Sequence, residues 1–260
     1  MISIERVRAL ATVPAILLVL LVSGCGYDSG AQASLNGLRQ IAETCPDQHV
    51  AAYVAVDFSD TARSESLAAS RRDAIRSEAE RVAVCGGTLK VVAFSSSTAA
   101  IQTLFDGPLK AEGATENARL RRIDRTVEPV DEAIADGWNS AEAELPGDGS
   151  DVLGQFTLAS EYFAQQRDAS HRALILTDGV QTTGTVVVNS PDFTSTVASD
   201  LAASVPVPDL SGATVTVAGL GQVVGDPPPS EFVAALNTFF TDTCARTNAT
   251  CQIVTDLASD

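Results

Sequence analysis

Apolar residues in this 260-residue chain follow two rhythms, short unbroken runs and longer stretches repeating every three or four positions. Short runs bounded by polar or turn residues read as strands, and the three-to-four repeat reads as helices with one buried stripe. Leu35, Leu38 and Ile41 predict a small helix before the first strand. Strands are predicted at Val50–Val56, Leu89–Phe94, Ala99–Phe105, Ala173–Leu176, Thr214–Ala218 and Gln252–Val254. The third is reached through Ser95-Ser96-Ser97-Thr98 and ended by Asp106-Gly107-Pro108. Helices are predicted over Glu65–Val84, Asp151–Gln166 and Ser230–Thr243. The acidic segment Thr115–Leu145 is also helical, with Leu120, Ile123, Val127, Val130, Ile134 and Trp138 on one stripe. Pro129 within it predicts a kink or two abutting helices. Strands alternating with helices imply an α/β fold: a doubly wound, mainly parallel sheet flanked by helices, with one antiparallel edge strand. Ligands of such sheets sit beyond the carboxyl ends of the strands, so chemistry is sought there.

One apolar run does not belong to that domain. Arg6 and Arg8 precede an apolar stretch from Ala9 to Val22, interrupted only by Thr12 and Pro14 and closed by Ser23-Gly24-Cys25. A basic start, a short apolar core and small residues before a cut define a secretory leader. The run is too short for the roughly 20 apolar residues of a spanning helix. Its ending resembles a lipobox, which implies that Cys25 is lipidated and becomes the new amino terminus. The expected product is extracytoplasmic and lipid-anchored to a bacterial cell membrane. The expected divisions are residues 1–24 as leader, 25–44 as lipidated cysteine, tether and short helix, and 45–256 as the domain, with a helical insertion at about 107–149.

Charge narrows the partners. Removing residues 1–24 takes two arginines and Glu5 away, leaving 15 basic and 32 acidic side chains and a formal charge of −17. Phosphate contacts need clustered Lys and Arg, so nucleic acid is not an expected partner. Nor is the body expected to lie on anionic lipid, so membrane contact falls to the anchor on Cys25. Four further cysteines, Cys45, Cys85, Cys244 and Cys251, read as two disulfides outside the cytoplasm. They contain no Cys-x-x-Cys pair for metal ligation. Cys45 and Cys85 each precede a strand at the same end of neighbouring strands, and Cys244 and Cys251 flank the turn into the last strand. The layout therefore predicts Cys45–Cys85 and Cys244–Cys251, both away from the carboxyl ends.

Three polar segments lie where the layout puts chemistry. Asp57, Ser59 and Thr61 alternate as the chain leaves the first strand, Asp178 follows Ala173–Leu176 in Thr177-Asp178-Gly179, and Ser150 opens the Asp151 helix. Taken singly, each is what an N-cap or an Asp-Gly turn requires. Together they offer hard oxygen ligands for a divalent cation. The set resembles the metal-ion-dependent adhesion site of von Willebrand factor A domains: Asp-x-Ser-x-Ser after the first strand, a Thr-bearing loop, and an Asp after the fourth strand. The resemblance spans Val50 to Val254. Asp57, Ser59 and Asp178 match outright, Thr61 replaces the usual serine, and Ser150 stands where the family has threonine. It implies that Ser59, Thr61 and Ser150 hold Mg²⁺ or Mn²⁺ (or Ca²⁺) through neutral hydroxyls, while Asp57 and Asp178 hold its waters or bind it directly. It further implies an open position taken by a carboxylate of a protein partner, in adhesion rather than catalysis.

Other chemistries fit less well. Asp57-Phe58-Ser59-Asp60-Thr61 and Gly147-Asp148-Gly149-Ser150-Asp151 are loosely similar to the loops of haloacid dehalogenase-like phosphatases. There, however, Ser59 would have to be the general acid, which it cannot be at neutral pH. The Gly-Asp-Gly loop should also follow a buried strand, and here it follows Ala141–Pro146. A serine hydrolase lacks its Gly-x-Ser-x-Gly elbow, and His49 and His171 both start strands. Gly219-Leu220-Gly221 lacks the third glycine and the lysine of a phosphate loop. The remaining alternative is a metal-independent scaffold or envelope structural protein on the same fold.

Overall fold

Eight consecutive buried residues, Val50–Asp57, form β1 at the middle of a six-stranded sheet. The computed structural model describes residues 29–257 other than Ala100 and Pro191. The expected leader and lipidated Cys25 thus lie outside the described residues. Successive strand side chains point to opposite faces, so Val50, Ala52, Val54 and Val56 enter one core and Ala51, Tyr53 and Ala55 the other. A strand covered on both sides cannot alternate polar and apolar residues, which explains its unbroken apolar run.

The chain runs α1 (Ser29–Glu43), β1, α2 (Glu65–Cys85), β2 (Gly87–Phe94), β3 (Ile101–Leu109), α3 (Glu116–Leu120), α4 (Ile123–Glu144) and α5 (Val152–Gln165). It continues β4 (Ser170–Leu176), α6 (Ser195–Ser204), β5 (Thr214–Ala218), α7 (Ser230–Ala245) and β6 (Thr250–Val254). The strand order is β3-β2-β1-β4-β5-β6, parallel throughout except for β2 against β3. Residues 95–100 between β2 and β3 are too few for the crossover that a parallel pair requires, so β3 turns back as an antiparallel edge. This is the doubly wound α/β sheet expected from the sequence. One core packs Ile75 and Val82 of α2 and Val127, Val130 and Trp138 of α4 against the sheet. The other packs Phe156 of α5, Ala198 of α6 and Phe239 and Phe240 of α7. Polar side chains start the helices: Ser64, Thr115, Asp151 and Thr194 each accept a backbone N–H of the first turn.

Several bounds differ from expectation, for physical reasons. β3 runs through Asp106-Gly107-Pro108 instead of ending there, with Pro108 opposite Thr88. On an edge strand a proline's missing N–H costs no ladder bond. β4 begins at Ser170, since Ser170–Arg172 pair with Val50–Ala52 although they are polar. The Thr115–Leu145 stripe is divided at Arg121-Arg122, and Pro129 sits inside α4 rather than at the junction. Helix α6 leaves no clear pattern in the sequence, because Ser195–Ser204 is short and rich in small residues, with little contrast between its faces. The cysteines pair as the layout implies, Cys45 with Cys85 and Cys244 with Cys251, at Cα separations of 5.3 and 6.1 Å. No helix among the described residues is long and apolar enough to cross a membrane.

Candidate metal centre

Asp57 is the last residue of β1, and its carboxylate is buried beneath the carboxyl end of the sheet. Both of its oxygens are engaged. Oδ1 accepts the Ser59 backbone N–H at 2.9 Å, and Oδ2 accepts the hydroxyls of Ser150 at 2.8 Å and Thr177 at 2.7 Å. A single 3₁₀ turn, Asp60–Ala62, then folds the chain back so that Ser59 Oγ and Thr61 Oγ1 lie 3.3 Å apart. Four of the five candidates are therefore linked by direct hydrogen bonds. The fifth, Asp178, is fully buried two residues beyond β4. Its Oδ1 accepts the Val180 backbone N–H at 2.8 Å, whereas its Oδ2 is buried with no hydrogen bond of ordinary geometry among the described residues, the Thr61 hydroxyl being near but not bonded to it. Burial above all, and then repulsion from Asp57, pushes the Asp178 carboxyl up to about 6, against the opposing pull of the Thr61 hydroxyl, the Val180 N–H and Arg71.

The Thr177-Asp178-Gly179 turn needs its glycine. Gly179 has φ +84°, and a Cβ there would sit 2.5 Å from Leu220 Cδ2. With the turn so fixed, Thr177 Oγ1 accepts the Gly179 N–H at 3.0 Å while donating to Asp57. The loop beyond it ties down the Ser150 segment. Thr182 Oγ1 accepts the Ser150 N–H at 2.7 Å, and Thr183 Oγ1 donates to the Ser96 carbonyl at 2.6 Å. Buried Gln181 accepts the Leu153 N–H at 3.1 Å and donates to Asp151 Oδ1 at 3.2 Å. From beneath, Arg71 of α2 donates from Nη1 to the Asp57 and Ala62 carbonyls, both at 2.8 Å.

Sequence reasoning did not assign Thr177, Gln181, Thr182 or Arg71 to the site. Thr177 and Arg71 left a signal. Thr177 stands inside the quoted Thr-Asp-Gly turn, and Arg71 falls on the helical stripe that also carries Ala68, Ile75 and Val82. Gln181 and Thr182 gave none, because their partners lie about 30 residues away in the chain and no local pattern encodes such pairs.

The donor set consists of hard oxygens alone: two carboxylates and the hydroxyls of Ser59, Thr61 and Ser150. That chemistry fits Mg²⁺, Mn²⁺ or Ca²⁺ and not a thiolate-seeking metal. The buried, unpartnered Asp178 Oδ2 also fits, since such an oxygen otherwise bears a desolvation cost of about 1–3 kcal/mol. Among the described residues no group of three or more His, Cys, Asp or Glu side chains is placed to hold a metal ion. The phosphatase-like loop residues 147–151 follow α4 rather than a strand. His171, at the other end of the sheet, stacks on Phe163 at 4.6 Å and donates from Nε2 to the Gln166 carbonyl at 2.8 Å.

No protein-family model matches the sequence, and no curated protein matches it. Among solved structures the chain is similar to a conserved hypothetical protein, BatB, of Bacteroides thetaiotaomicron, at 12% identity and a TM-score of 0.44, over 79% of this chain and 89% of that one. It is similar to an aerotolerance-related membrane protein of Bacteroides fragilis at 13% identity and a TM-score of 0.40, over 80% and 91% of the two chains. A third likeness is to the pilus adhesin SpaC of Lactobacillus rhamnosus GG, at 12% identity and a TM-score of 0.43. It covers 82% of this chain and 29% of that adhesin.

Proposed function

We propose that this protein is a lipid-anchored, extracytoplasmic binding module of the von Willebrand factor A type, capturing a carboxylate of a protein partner through a divalent cation. The observation that carries this reading is the buried Asp178 carboxylate, one oxygen of it unpartnered, close to Asp57 and the Thr61 hydroxyl; Ser59 and Ser150 are bonded in turn to Thr61 and Asp57. Ser59, Thr61 and Ser150 would hold the ion, and Asp57 and Asp178 would bind it or its waters. The ion, once bound, supplies an electrophilic position for an incoming Glu or Asp. The chain's own residues do the rest. Asp57 orients Ser150 and Thr177, the 3₁₀ turn presents Ser59 and Thr61 together, and the 181–183 loop holds Ser150 in place. The leader and the lipobox-like Val22-Ser23-Gly24-Cys25 support the anchor.

A second reading has its own support. Asp57 already accepts three hydrogen bonds from protein donors, as a scaffold without metal would arrange. Calorimetric titration of the purified metal-free protein with Mg²⁺ and Mn²⁺, beside an Asp57→Ala, Asp178→Ala double variant, separates the two. Saturable binding lost in the variant is expected. A folded native protein that takes up neither ion would leave the scaffold reading in its place.

A further inference from the structure

Helix α2 buries two charged residues on the stripe it shares with Ala68, Ile75 and Val82. They are treated differently. Glu78 meets Arg172, which donates two bonds to it at 2.7 and 3.1 Å. Arg71, 2% exposed, meets no carboxylate by direct hydrogen bond among the described residues. Its Nη1 is shared between two backbone carbonyls, and its Nε is buried without an acceptor. Neutral carbonyls do not balance a buried guanidinium, and burying an unbalanced charge is costly. The charges that can balance it are Asp57 and Asp178, both of which act on Arg71 electrostatically.

We propose that Arg71 is the third fixed charge of the centre, setting its preference for an anionic partner. This inference rests on the metal-site reading above. Two ionised aspartates and a divalent ion cancel one another, and Arg71 then leaves one positive charge over. In a buried site that charge is poorly screened by water. An incoming carboxylate neutralises it, whereas a neutral or basic group does not. The same charge repels the ion, so Arg71 weakens metal binding while favouring the anion that completes the site. Its two bonds also pin the segment from Asp57 to Ala62, which carries Ser59 and Thr61. That segment is also held by Gly147, whose carbonyl accepts the Asp60 N–H at 2.9 Å, and by Arg63, which donates to the Phe58 carbonyl at 2.6 Å, so Arg71 is a positioning residue that reaches the ion and the partner through the charge balance.

The test compares native protein with Arg71→Met and Arg71→Lys. Mg²⁺ affinity is measured by calorimetry on metal-free protein, and melting temperature with and without Mg²⁺. Acetate binding to Mn²⁺-loaded protein is read from the loss of water proton relaxation. Removing the charge in Arg71→Met should tighten Mg²⁺ by about tenfold and weaken acetate by about fivefold, the order expected for loss of one unit charge near a partly screened site. Its melting temperature should rise more on Mg²⁺ addition than that of native protein. Arg71→Lys, keeping the charge, should stay within about threefold of native in both affinities. A merely structural role weakens Mg²⁺ and acetate together in Arg71→Met, and either that result or no change overturns the proposal. Should Arg71→Met fail to fold, Arg71→Gln, which keeps a donor for one carbonyl, carries the same comparison. Native protein that binds no Mg²⁺ overturns the metal-site reading itself, an outcome visible before any variant is compared.

Discussion

At the amino end of the strands, Cys45 is bonded to Cys85 where α1 and α2 finish, and Cys244 to Cys251 between α7 and β6. At the carboxyl end, Asp57, Ser150, Thr177, Gln181 and Thr183 are joined by hydrogen bonds alone. Covalent ties contribute stability without depending on charge or on what is bound. Hydrogen-bonded hydroxyls and carboxylates can trade a protein partner for another ligand at small net cost. Keeping the two kinds of bond at opposite ends lets the candidate site reorganise on a base that does not.

The two ends should respond unequally to substitution. Removing the first disulfide with Cys45→Ser, Cys85→Ser should cost about 4 kcal/mol of unfolding free energy in denaturant titration, since it closes the longer loop. The Cys244→Ser, Cys251→Ser pair should cost about 2.5 kcal/mol on the same model. Both should leave Mg²⁺ affinity unchanged, and an affinity change beyond about threefold would dissolve the separation between the ends. Ser150→Ala works in the opposite sense. It should lower Mg²⁺ affinity roughly 30-fold and unfolding free energy by only about 1 kcal/mol, the cost of one hydrogen bond.

The pH dependence of metal-free protein comes next in size. Asp178 is raised from 3.8 to about 6 by burial first and by Asp57 second, so in the folded state it keeps a proton that the unfolded chain releases. Its stabilising contribution is therefore complete below pH 3.8 and is lost as pH rises through about 6. Melting curves of native protein and Asp178→Asn should diverge over that window, the native falling relative to the variant. Mg²⁺ affinity should run the other way, declining as pH falls below about 6. The smallest effect is expected from Thr61→Ser. It keeps the hydroxyl and drops one methyl, so Mg²⁺ affinity should stay within about threefold in the same titration.

Much of this contrast is legible in the sequence, unevenly. The apolar run Val50–Val56 marks the central strand because both its faces are buried, and the polar residues after it mark where the strand delivers its side chains. The disulfide pairs follow from strand order, because cysteines that precede neighbouring parallel strands share an end. Ser170–Arg172 and Pro108 escaped as strand residues because pairing with β1 and β2 holds them there against their own preferences. Arg71 escaped because a charged residue on a helix reads as solvent-facing, and only its register with Ala68 and Ile75 shows that it faces inward. Gln181 and Thr182 depend on a loop path that no local spacing describes.

The two disulfides also bear on how the molecule is made. Each joins cysteines that are consecutive in the chain among Cys45, Cys85, Cys244 and Cys251. If the chain is exported amino end first, as proposed, Cys45 and Cys85 would emerge long before Cys244, and oxidation at that point would yield the native pairing without reshuffling. On the proposed reading Cys25 carries lipid, and a thioether has no thiol to exchange.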